Sequence, residues 1–246
     1  MIYFLSDVHL GLGDRAADRR RERDLVQFLR LIAPDLDELY IVGDLFDFWF
    51  DYRSVIPRYH VRTLGALAEL SDAGIPIHYL IGNHDFGHRD FFERELNIHV
   101  YQDDLKLELQ GKSVYLAHGD GKVANDRGYL ILRAILRNRV CQKLYRAIHP
   151  DIGIGLAAKT SRTSRAHTDA RDYGEDDGMR QFARNIIKQE GWDYVVMGHR
   201  HIPIDEEHAG GRYINLGDWL VHRTAGRMVD GRIEIIKVDD VLQGRL

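Results

Sequence analysis

The 246-residue chain is predicted to fold as an α/β layered domain. Short apolar runs that are continuous rather than alternating predict strands buried on both faces. Amphipathic helical patterns lie between several of these runs. A late switch to hairpin patterns predicts that the domain ends in antiparallel strands.

The strand-like runs are IYFL (2–5), LYIV (39–42), IHYLI (77–81), SVYLA (113–117) and YVVM (194–197). All are rich in β-branched and aromatic residues, which suit a packed sheet. The segments 22–33 and 60–74 place apolar residues at i, i+3, i+4 and i+7, the period of a helix with one buried face. Gly74 and Pro76 end the second of these. The segment 176–191 repeats the design, with acids at its start and Gly191 at its end. Beyond Val196, HIPIDEEHAGGRYINLG and GRMVDGRIEIIKV read as hairpins, the second turning at Asp230-Gly231.

Residues 122–171 break the alternation. The stretch 126–148 reads as helix, broken near Asn138 and stopped by Pro150. We read 122–171 as a helical insertion in a single domain spanning 1–246. Between Lys122 and Arg171 there are eleven Lys/Arg and three Asp/Glu, a formal +8 within a chain whose net charge is −4. The whole chain is therefore not a basic nucleic-acid binder, and the local charge suits an anionic ligand or an anionic membrane surface. Within the insertion Arg133, Arg137, Arg139, Lys143 and Arg146 recur at roughly helical spacing, with Ile131, Leu132, Ile135, Leu136 and Leu144 between them. That pattern fits a surface-lying element at a membrane, or a helix packed on the core.

No apolar run approaches the roughly 20 residues that span a bilayer, and the N-terminal residues lack the pattern of a signal peptide. Cys141 is the single cysteine, which excludes an internal disulfide and points to a reducing cytoplasm.

Every strand-like run ends in a polar cluster: Ser6-Asp7-Val8-His9, Gly43-Asp44, Gly82-Asn83-His84-Asp85, His118-Gly119-Asp120 and Gly198-His199-Arg200-His201. Ligands of open α/β sheets bind outside the carboxyl ends of the strands, so five such clusters can converge. The donors gathered are Asp7, His9, Asp44, Asn83, His118, His199 and His201. This oxygen and imidazole set, without thiolate, suits Mn, Fe, Zn or Mg. Seven ligands are too many for one small ion and suit two, which would clamp an in-line displacement at phosphorus. Asp85 and Asp120 are placed behind these donors, each orienting a neighbouring imidazole or amide. The aromatic run Phe46, Phe48, Trp49, Phe50 and Tyr52 reads equally as a pocket wall or as core.

In order and spacing, D-x-H, G-D, G-N-H-D, H-G and G-H-x-H resemble the calcineurin-like metallophosphoesterases over positions 7 to 201. The resemblance implies a layered β-sandwich flanked by helices. It implies one metal on Asp7, His9, Asp44 and His201, a second on Asp44, Asn83, His118 and His199, and Asp44 as the bridge. His84 and Asp44 are the implied catalytic residues. His84 faces the substrate as proton donor or imidazolium.

A narrower resemblance rests on GDLFDFWFDY, on HGDG…NDRGY and on the insertion, and is to the UDP-2,3-diacylglucosamine diphosphatases of lipid A biosynthesis. It implies cleavage of a lipid-linked UDP-sugar to UMP and 2,3-diacylglucosamine 1-phosphate, two metal ions with manganese typical, and a lid over the acyl chains. Asp126, Ser161 and Arg165 fall on or near positions for substrate contact. The implied place is the cytoplasmic face of the inner membrane, held peripherally. No protein partner is inferred. The chain departs from many members at His84, where they carry Arg, and after Ser161. Two other readings stay open: a soluble phosphodiesterase or nucleotide pyrophosphatase of the same superfamily, and a non-catalytic scaffold.

Overall fold

The fold is described from a computed structural model covering residues 1–122, 134–136, 138–155 and 178–245. Among these residues, eleven strands form two sheets. The first has the order β11-β10-β1-β2-β3-β4 and the second β5-β6-β7-β9-β8. In the first, β1 (Ile2–Leu5), β2 (Glu38–Val42), β3 (Ile77–Leu80) and β4 (His99–Tyr101) run parallel. The hairpin of β10 (Thr224–Val229) and β11 (Arg232–Lys237) pairs antiparallel with β1. In the second, β6 (Lys112–Ala117), β7 (Tyr194–Met197) and β9 (Gly211–Leu216) are parallel. β5 (Leu105–Leu109) and β8 (Pro203–His208) close its edges antiparallel.

Side-chain alternation explains the continuous apolar runs. Ile2, Phe4, Tyr40, Val42 and Leu80 of the first sheet pack against Val114, Leu116, Val196, Ile214 and Leu216 of the second. On the outer face of the first sheet, Tyr3, Leu5, Leu39 and Ile41 pack against two helices, α1 (Arg15–Ile32) and α2 (Val61–Asp72). The outer face of the second sheet buries Ala117, Val195 and Met197 under Met179, Ala183, Ile186 and Ile187. Those four residues lie on the helix Gly178–Glu190, called α5 below. Both faces of each central strand are dry, so every position can be apolar. The result is a β-sandwich flanked by helices.

Further short helices among the described residues include α3 (Phe91–Glu95), α4 (Arg139–Arg146) and α6 (Val238–Leu242). Asn138 caps α4 by accepting from Val140 N and Cys141 N, which gives the expected break a physical cause. Pro150 does more than end a helix. It opens a second helical stretch, 150–155, as proline can at a first helical position.

The aromatic run after β2 divides. Phe46 and Trp49 are core residues packed on Phe92. Phe50 is buried too, and its ring lies 4.7 Å from that of Tyr145 on α4. Phe48 and Tyr52 stay partly exposed.

Candidate metal centre

All five polar clusters sit at the carboxyl ends of β1, β2, β3, β6 and β7, as an open α/β sheet requires of a ligand site. Backbone hydrogen bonds lace the loops together: Asp7 N donates to Gly43 O, His9 N to Asp44 O, and Gly198 N to His118 O. Asp7, His9, Asp44, His199 and His201 all have φ between +51° and +70°. Such a backbone costs a non-glycine residue about 1–3 kcal/mol. Five of the seven expected donors therefore carry strain that the surrounding fold must hold.

The glycines serve in two ways. Gly43 and Gly119 supply turns at φ +81° and +113°. Gly82 and Gly198 have no positive φ; there a side chain has no room. A Cβ on Gly82 would lie 2.6 Å from Asp44 N and also run into the Asp44 carboxylate, and one on Gly198 would meet Ser6 Oγ and the Asp7 carboxylate.

Both carboxylates divide their oxygens in the same way. Asp7 Oδ2 accepts from Ser6 Oγ and from His199 N at 2.8 Å. Asp7 Oδ1 is buried without a hydrogen-bond partner, 3.2 Å from His201 Nε2 and 3.6 Å from His9 Nε2. Asp44 Oδ1 accepts from His84 N at 2.8 Å. Asp44 Oδ2 lies 3.3 Å from His118 Nε2 and 3.9 Å from His9 Nε2. Asn83 Oδ1 stands 3.1 Å from His118 Nε2. Close donor groups thus form around Asp7, His9 and His201, around Asp7, Asp44 and His118, and around His9, Asp44 and His84. His199 is beside them, its ring 5.1 Å from that of His118, but its nitrogens fall outside these groups.

Burial raises the pKa of Asp44, but the charges of His118, His84 and His9 outweigh it and hold the carboxyl well below its usual range. Asp7 follows the same pattern, with His201 outweighing burial. The acids in turn raise His118 against the opposing effect of burial. Burial, then the charge of His118, push His199 down to about 4.

These residues fit a pair of divalent ions. Asp7 Oδ1 is an orphaned buried oxygen, a costly arrangement unless a cation faces it. His118 Nδ1 lies 2.8 Å from Val42 O, so it donates there and turns the lone pair of Nε2 toward the carboxylates.

The supporting residues differ in part from expectation. Of the two kinds of group expected beside it, Asp85 holds amides. It accepts from Leu45 N at 3.0 Å, Gly82 N at 2.7 Å and the Tyr79 hydroxyl, and so ties the loop after β3 to the loop after β2. Burial, then the charge of Asp44, push its carboxyl up to about 7. Asp120 is buried, and its charge acts on His118 and His199. Asp47 was not singled out in the sequence, yet its carboxylate lies 3.7 Å from His9 Nδ1 and 3.5 Å from His84 Nδ1. Asp218 likewise emerges only in three dimensions, beside His201. Asp126, Ser161 and Arg165 lie outside the described residues.

Comparison with known proteins agrees with this architecture. The calcineurin-like phosphoesterase family matches residues 1–203, and the chain belongs to that family. Among similar curated proteins, a UDP-2,3-diacylglucosamine hydrolase of Porphyromonas gingivalis is 37% identical over 236 residues, covering 89% of this chain and 90% of the relative. Proteins of the same name from Stenotrophomonas maltophilia and Nitrosococcus oceani are 32% and 30% identical. They cover 88% of this chain each, and 90% and 86% of their own lengths.

Proposed function

We propose that this chain is a dinuclear-metal hydrolase that cleaves the pyrophosphate of UDP-2,3-diacylglucosamine to UMP and 2,3-diacylglucosamine 1-phosphate. Relatives of that name align along most of the chain. The observation that carries the chemistry is the division of labour at Asp44, whose Oδ2 faces His9 and His118 while Oδ1 is fixed by the backbone of His84.

Asp7, His9, Asp44 and His201 would hold one ion and Asp44, Asn83, His118 and His199 the other, with Asp44 shared between them. When bound, two such ions make a water nucleophilic near neutral pH and neutralise charge on the phosphoryl oxygens. Oxygen and imidazole donors suit manganese. His84 Nδ1 lies 3.2 Å from Asp47 O; donation there leaves Nε2 to face the substrate. His84 then gives a proton to the leaving phosphate oxygen, or stabilises its charge as imidazolium. Its ring packs edge-on to that of His9, centroids 4.9 Å apart, which places the acid directly beside the donor set.

The substrate class also fits the surface of the insertion. Val140, Leu144 and Ile152 are each at least 65% exposed, in a segment rich in Lys and Arg. An apolar surface with basic neighbours suits peripheral attachment to an anionic membrane, here the cytoplasmic face of the inner membrane. Among the described residues no helix is long and apolar enough to cross a membrane. The test is a panel: detergent-dispersed UDP-2,3-diacylglucosamine against soluble nucleotide sugars and cyclic nucleotides. Strong preference for the acylated substrate supports the reading, and equal turnover of non-acylated substrates refutes it.

A further inference from the structure

Beyond the donors themselves, one carboxylate behind them has no assigned role. Asp218 follows β9 across Gly217, whose φ is +76°. It is buried, at 2% exposure. Oδ1 accepts from Val221 N at 3.0 Å and His222 N at 2.7 Å. Oδ1 also lies 3.4 Å from His222 Nδ1. Oδ2 faces the other way, 3.9 Å from His201 Nδ1. The opposite nitrogen of that ring, Nε2, points at Asp7 Oδ1 and at His9 Nε2.

We infer that Asp218 is a positioning residue that orients His201 toward the metal centre. The inference rests on the dinuclear reading above. A carboxylate that faces the second nitrogen of an imidazole ligand favours one orientation of the ring; at 3.9 Å Asp218 acts on His201 through its charge. Asp218 Oδ2 is the carboxylate on that side of His201. The ring needs such a guide because His201 stands on a left-handed backbone, φ +58°, and its side chain is 35% exposed. The fold also ties Asp218 to the donors: the next residue, Trp219, donates its backbone N–H to Asp7 O at 3.2 Å. The loop that carries Asp218 therefore moves with the loop that carries Asp7.

Asp218 has a second, purely local duty, since Oδ1 caps the turn at Val221 and His222. The variant Asp218→Asn separates the two. Its amide oxygen still caps the turn, while the negative charge that faces His201 Nδ1 at 3.9 Å is lost. Titration of purified protein with Mn²⁺, read by calorimetry and by metal content after gel filtration, should give two ions in the wild type. In D218N the thermal midpoint should stay near wild type and one ion should bind about 10–100-fold more weakly. In a His201→Ala background, D218N should change metal affinity no further. Equal affinities in wild type and D218N, or an undiminished effect of D218N in the His201→Ala background, would overturn the inference. A wild-type protein that takes up no ion would overturn the dinuclear reading itself, which distinguishes the two failures.

Discussion

The backbone N–H of His84 donates to Oδ1 of Asp44 at 2.8 Å. The residue read as the acid thus fixes the carboxylate read as the bridge. Oδ2 of Asp44 faces the other way, toward His118 and His9. Asp44→Asn keeps an acceptor for His84 N but loses the charge. Loss of a partner standing behind a ligand costs about 10–100-fold, so loss of the bridge should cost more than about 100-fold in turnover. Metal content should fall below two ions per chain, read by elemental analysis beside the kinetics.

His84 itself separates two kinds of leaving group. A sugar phosphate leaves readily, whereas an alkoxide needs a proton. His84→Ala should lower turnover of an alkyl phosphodiester by about 10²–10⁴, the usual worth of a positioned acid, and turnover of the UDP-lipid by less. His84→Arg should retain more activity on the UDP-lipid than on an alkyl phosphodiester, because a fixed cation still stabilises the phosphate. Parallel rate measurements on both substrates check this, and equal losses would show the account of His84 to be wrong.

Gly82→Ala tests the steric argument. Its Cβ would intrude on the Asp44 carboxylate. Overpacking of this kind typically costs about 1–3 kcal/mol. Urea denaturation should show that loss, and Mn²⁺ titration should show weakened binding although no donor has been removed. Gly74→Ala is a contrast on a helix end away from the site, where nothing lies within 4 Å of the new Cβ. It should destabilise through its φ of +85° alone and leave metal binding intact.

The core carries its own pH signature. His88 is packed among Trp49, Tyr79 and Phe92 with neither ring nitrogen hydrogen-bonded. Burial pushes its pKa down from 6.5 to about 3. The unfolded chain then takes up a proton that the folded chain refuses, so stability is present above pH 6.5 and is lost as pH falls toward 3. Between pH 7 and pH 5 the loss from this residue is about 2 kcal/mol. His88→Leu should remove that part of the pH dependence, measured as the difference between urea midpoints at the two pH values.

The five central strands were legible because burial on both faces makes their sequences continuously apolar. β4 and β5 were not. β4 has three residues, and β5, LKLEL, alternates because it lies at an edge with one face in water. The start of α1 was hidden for another reason. Its first turns bury Asp18, Arg21 and Glu22 rather than apolar residues, so hydrophobic periodicity begins only at Leu25. The cap at Asp14, which accepts from Ala16 N and Ala17 N, was the available signal. At the site, strand-end position pointed to seven candidate donors, and the fold brings their loops together. Asp47 and Asp218 carry no such mark, since their importance lies in which imidazole they face after folding.

The most direct test of the whole account is hydrolysis of UDP-2,3-diacylglucosamine by the Mn²⁺-loaded protein in ¹⁸O-enriched water. Attack in line at the uridine-side phosphorus places the label in UMP, with 2,3-diacylglucosamine 1-phosphate unlabelled. Label in the lipid phosphate, or no hydrolysis by protein shown to hold two ions, would contradict it.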